Sequence, residues 1–90
     1  MASLKISPDT VVRGNPLTIS LFNEFRNPLR LELCSKNGEL LRLLESTDRK
    51  VIIYQLNTQD LIPGQYLVVI RTSSKAIQHR INVQHKKQKT

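Results

Sequence analysis

Apolar and polar residues alternate with period two along most of the chain. Leu17, Ile19 and Leu21 alternate with Thr18, Ser20 and Phe22; Leu29, Leu31 and Leu33 alternate with Arg30, Glu32 and Cys34. Near the end, Ile77, His79, Ile81 and Val83 alternate with Gln78, Arg80, Asn82 and Gln84. Successive side chains of a strand point to opposite faces, so each pattern predicts a strand with one face on a core and the other in water. Two further runs belong with these. Val51–Leu56 is rich in β-branched side chains, and Tyr66–Ile70 is apolar on both faces, which predicts a central strand covered on its outer side by a loop or a partner.

Turn signals separate the runs. Asn37-Gly38 between two apolar stretches is a strong hairpin signal. Gly14-Asn15-Pro16, Asn27-Pro28, Pro63-Gly64 and Ser73-Ser74-Lys75 mark the other reversals. Glu39–Glu45 has helix-favouring residues, yet about seven residues between turns are too few for an independent helix, so it is read as a strand. The pattern thus predicts seven strands, at about 3–6, 17–22, 29–35, 39–45, 50–56, 65–72 and 76–84. That spacing points to an all-β, seven-stranded antiparallel immunoglobulin-like sandwich. Residues 1–84 form one domain, and 85–90 a basic tail expected to fray.

Ninety residues allow one small core. With four aromatics and no Trp, that core has to be aliphatic. The single cysteine, Cys34, excludes an internal disulfide and reads as a small half-buried hydrophobe. No apolar segment is long enough to span a membrane as a helix. The start, Met-Ala-Ser-Leu-Lys, lacks the apolar stretch of a secretory signal, which implies a cytoplasmic protein or a piece with its signal upstream. The formal charge of +7 owes three lysines to the last five residues, and the remaining basic residues are dispersed among acids. Such a spread gives solubility and mild attraction to polyanions, without a phosphate track. The interleaved aromatics of single-strand nucleic-acid binders are missing as well, so no nucleic-acid partner is expected.

Candidate chemistry is sparse. His79 falls on an apolar face and reads as a partly buried structural histidine. It and His85 lack the cysteine partners of a zinc site. Asp9, Glu24, Glu32, Glu39, Glu45, Asp48 and Asp60 form no acid–base pair by spacing, and Gly14, Gly38 and Gly64 stand alone at turns. No catalytic, metal or cofactor site is expected.

The order of the motifs is informative. Ile6-Ser7-Pro8-Asp9-Thr10 leads to Gly14 and then Leu17-Thr18-Ile19. Leu29-Arg30-Leu31-Glu32-Leu33 runs to the Asn37-Gly38 turn and Leu40-Leu41. Leu61-Ile62-Pro63-Gly64-Gln65-Tyr66 precedes Leu67–Ile70, and His79-Arg80-Ile81-Asn82-Val83 closes the domain. From Leu4 to Gln84 the sequence resembles the type A C-terminal sorting domains of cargo proteins exported by the type IX secretion system of Bacteroidetes. It departs from that pattern at Asp9 and Thr10, where Asn and Pro are usual, and in its basic extension after the last strand.

The resemblance implies a non-catalytic address label fused behind a passenger domain. Its partners would be the outer-membrane translocon and a sortase-like peptidase. It would pass through the periplasm to the cell surface or the medium. Pro63, Gly64, Tyr66, Arg80, Lys86, Lys87 and Lys89 are then the candidate recognition residues. Gly64 and Tyr66 have structural readings too, as a turn residue free of a Cβ and as a core-packed ring with its hydroxyl aimed at backbone or solvent. The alternative is an immunoglobulin-like adhesion, spacer or protein-interaction module. A salt-sensitive polyanion binder ranks third.

Overall fold

A computed structural model of the chain describes residues 2–85. Eight strands and no helix occur among them: β1 (Ala2–Ser7), β2 (Thr10–Val12), β3 (Leu17–Asn23), β4 (Leu29–Ser35), β5 (Leu40–Thr47), β6 (Val51–Leu56), β7 (Gly64–Arg71) and β8 (Ala76–Gln84). They form a three-stranded sheet in the order β1-β3-β6 and a five-stranded sheet in the order β2-β8-β7-β4-β5.

The alternation does its expected work. Leu17, Ile19, Leu21, Ile52 and Leu56 of the smaller sheet join Leu29, Leu31, Leu33, Val68, Ile70, Ile81 and Val83 of the larger one in a single buried cluster. The two sheets therefore face each other across one aliphatic layer. Tyr54 and Tyr66 pack at its margin, while Phe22 and Phe25 are exposed.

Two expectations are corrected. The strand count is eight, because residues between Pro8 and Gly14 form β2. Three residues are too few to show an alternation, and their pairing is long-range. The architecture is also not wholly antiparallel: β2 lies parallel to β8, with Thr10, Val11 and Val12 opposite Asn82, Val83 and Gln84. The cause is the route of the chain. It runs up β1 in one sheet, crosses at Pro8-Asp9, and continues in the same sense along the other sheet's edge.

The hairpin expected at Asn37-Gly38 is present. Ser35 Oγ accepts from the Asn37 and Glu39 amides, Gly38 N donates to Ser35 O at 2.9 Å, and Gly38 has a φ of 92°, which a side chain would strain. The strand reading of the helix-prone stretch holds as β5, an edge strand whose pairing with β4 is broken by two register shifts. Asn23, itself buried, shapes the turn after β3: its Nδ2 donates to Asn27 O and its Oδ1 accepts from Asn27 N.

Leu31 is fully buried at the middle of the core. Leu31→Ala is expected to destabilise the chain by about 3 kcal/mol in urea unfolding. Val51→Ala, at a site 57% exposed, should stay within about 0.5 kcal/mol.

Candidate interaction surface

Three stretches that are far apart in sequence meet at one end of the molecule. Asn82 N donates to Asp9 O at 2.9 Å and Arg13 N donates to Gln84 O at 2.8 Å, so the β2 segment is tied at both ends to the end of β8. On its other side β8 lies against the start of β7, with Gly64 opposite Val83 and Gln65 opposite Asn82. The loop between β6 and β7 closes the group. Thr58 is fully buried there; its hydroxyl accepts from Gly14 N and donates to Asn15 O, both at 2.8 Å. Arg13 Nε adds a bond of 3.0 Å to Gln59 O.

The stretch Leu61–Tyr66 has a definite local mechanism. Leu61 is buried, Gly64 takes a φ of 152°, and the half-buried Tyr66 ring packs against the core while its hydroxyl donates to Ile62 O. A tyrosine near the start of a strand bonding back to the backbone a few residues upstream is the tyrosine corner of Greek-key β domains. The expected structural roles of Gly64 and Tyr66 are thus the ones they perform.

The candidate recognition residues are only partly brought together. Pro63, Gly64 and Tyr66 sit at this end, beside the point where the chain leaves β8. Arg80 lies opposite Leu67 on the outer face of the five-stranded sheet, three residues or roughly 10 Å along from Val83. Lys86, Lys87 and Lys89 lie outside the described residues. His79 is half-buried on the inner side, opposite Val68. Among the described residues, no group of three His, Cys, Asp or Glu is placed to hold a metal ion.

Sequence reasoning anticipated an apolar outer face for residues 66–70, which the central strand β7 has, but missed what is buried beside it. Along it the register places Leu40, Cys34, Leu67 and Arg80 in one row, and Leu43, Glu32, Val69 and Gln78 in the next. Cys34, Leu67 and Val69 form a second buried apolar cluster there, so Cys34 is fully rather than half buried. Glu32 is buried beside them. Arg71 Nε reaches one of its oxygens at 3.1 Å and an Arg30 terminal nitrogen the other at 3.3 Å. The carboxylate lies between two guanidiniums that face each other in register and would otherwise repel. Alternation marked Glu32 as a solvent-facing residue. Its partner Arg71 is 39 positions away, and no local signal could have named it.

Burial pushes the Cys34 thiol up from its ordinary value of 9.0. The Glu32 charge adds to the rise and Arg71 opposes it.

No family model and no curated protein matches the chain. Among solved structures it is similar to CHIR-AB1, an immunoglobulin-like protein, at 17% identity and a TM-score of 0.53, over 91% of this chain and 94% of that one. The likeness is one of fold. It agrees with an all-β chain of two sheets.

Two outcomes follow for the residues the sequence misjudged or missed. Thr58→Val leaves the Gly14 amide and Asn15 carbonyl without their partner and should cost about 2 kcal/mol, with Thr58→Ser restoring most of it. Cys34 should resist a thiol reagent at neutral pH in the folded chain and react at once in denaturant. Its raised folded value contributes stability in full below 9.0, and that contribution is lost as pH climbs through the folded value.

Proposed function

We propose that this chain is a non-catalytic recognition module with an immunoglobulin-like sandwich fold, serving as a C-terminal sorting domain of type IX secretion cargo. The observation that carries the reading is the meeting of Asp9–Asn15, Thr58–Tyr66 and Asn82–Gln84 at the end from which the C-terminal residues leave. These overlap three of the stretches on which the family resemblance rests, Ile6–Gly14, Leu61–Ile70 and His79–Val83. Their convergence gives a rigid epitope that a receptor can read together with the tail. The tyrosine corner within it belongs to the fold at large, so the opening and closing stretches carry the specific part of the resemblance.

The position of β8 bears on how recognition would work. Only its end lies inside the sheet: β7 pairs with it from Ala76 to Val83, and β2 covers just its last three residues on the other side. Strand addition is therefore closed at the end of β8, and the reading places recognition on the loops and the basic extension. Passage through the periplasm and attachment at the cell surface follow from the same reading, with a passenger upstream.

A second reading, an adhesion or protein-interaction module, is favoured by the side wall of the larger sheet. There Leu40, Leu41 and Leu43 are 52%, 52% and 47% exposed on one edge strand.

The test is a transplant. An export signal, a fluorescent passenger and this chain are expressed in a bacterium with a working type IX system, beside a copy ending at His85. That cut preserves every pairing of β8. The intact fusion should reach the surface or medium and the shortened one should stay in the periplasm. Export of both would move recognition from the tail to the folded end. Retention of both, with the domain folded, would overturn the sorting reading.

A further inference from the structure

Every open edge of a sheet is a template for another strand, and proteins blunt such edges with charge, proline, bulges or short length. This chain does so unequally. β1 carries Lys5, β2 has three residues, and β5 carries Arg42 and Glu45 and is interrupted by two bulges. The stretch of β8 that β2 leaves uncovered carries Arg80. β6, with the sequence Val-Ile-Ile-Tyr-Gln-Leu, has no charge and no proline, and its register with β3 runs unbroken over six pairs.

The hydrogen-bond phase shows which groups are open. Asn23 N donates to Lys50 O, so Asn23–Lys50 is a bonded pair, and the alternation of an antiparallel ladder makes Leu21–Ile52 and Ile19–Tyr54 bonded pairs too. Val51, Ile53 and Gln55 consequently turn their N–H and C=O groups away from β3, and no hydrogen bond joins those groups to any described residue. The side chains of Val51 and Ile53, 57% and 66% exposed, stand on the outer face. They border a groove with Lys5, Ser20 and Phe22, and Lys50 Nζ sits 5.8 Å from the centre of the Phe22 ring.

The unequal sheets leave room beside this edge. Both start from the Pro8-Asp9 crossing, and at about 4.8 Å per strand five strands reach roughly 10 Å further than three. β5 is the outer strand of that overhang. Its Arg42, opposite the core residue Leu33, stays exposed on the side that a fourth strand of the smaller sheet would cover.

We infer that the β6 edge docks an extended segment of a partner chain, with alternating aliphatic side chains and flanking carboxylates, as a fourth strand of the smaller sheet. The open backbone groups of Val51, Ile53 and Gln55 supply the ladder, and the aliphatic groove supplies specificity. Lys5 at the groove and Lys50 at the start of a neutral strand call for the carboxylates. A second copy fits poorly. Two chains of charge +7 repel, and in a two-fold β6 pairing the overhanging β5 strands would claim the same space. The surface is distinct from the tail and goes beyond the sorting reading.

The probe is a nine-residue peptide of alternating valine and threonine with a glutamate at each end, added to the ¹⁵N-labelled full chain. Amide exchange at Val51, Ile53 and Gln55 should slow at least tenfold. Affinity should fall more than tenfold for Ile53→Lys, whose melting temperature should match the parent's, and for a peptide N-methylated at alternate residues. Lysines in place of the glutamates should also weaken binding. Protection appearing on β5 or β8 instead, no binding at millimolar peptide, or a chain already dimeric with the same three amides protected would each overturn the proposal.

Discussion

One layer of aliphatic side chains holds two sheets of unequal width together, and the rest of the molecule answers to that. With no Trp and both Phe side chains exposed, the layer is built from Leu, Ile and Val, which pack without polar atoms to satisfy. Apolar burial has to offset the entropy of ordering the whole chain. The loops cannot be left slack under that constraint. Each is fastened by a short polar device: Ser35 in the β4–β5 hairpin, Asn23 after β3, Thr58 between two loops, and Tyr66 at its corner.

The width mismatch has the larger consequence for function. Three strands can cover only part of a five-stranded sheet, so one side of the molecule ends in the exposed leucines of β5 and the uncharged edge of β6. The opposite side is closed by the crossing of the chain from β1 to β2 and by the grip of β2 on the end of β8. The molecule thus presents a knitted end at the close of β8 and an unfinished lateral edge. These are two separate surfaces with different chemistry, one of loops and backbone turns and one of ladder groups and aliphatic side chains.

Legibility in the sequence follows how local each signal is. The strands at 17–23, 29–35 and 76–84 could be read because alternation needs only neighbouring residues, and the hairpin at Asn37-Gly38 because its turn chemistry is local. Glu39–Glu45 was legible by length against propensity. β2 was illegible because three residues carry no period, and its partner is some seventy positions away. Glu32 looked like a solvated acid until β7 brought Arg71 beside it, and Cys34 looked half-exposed until Leu67 and Val69 closed around it. The candidate site divides the same way. Gly64 and Tyr66 announced their structural roles through the spacing of Leu61–Tyr66, whereas alternation put Arg80 on the outer face but nothing near it showed how far it stands from the loops.

By itself, then, the sequence determined an all-β chain, the faces of its strands, an aliphatic core and the positions of its turns. Each of these depends on a period or dipeptide within a few residues, where steric preference and side-chain direction act directly. Only the tertiary structure decided the strand order, the parallel pairing of β2 with β8, the burial of Glu32 and Cys34, and which edge was left open. Those depend on which distant segments share a ladder. That choice is made by the combined burial of the whole chain, and no single stretch of it contains the answer.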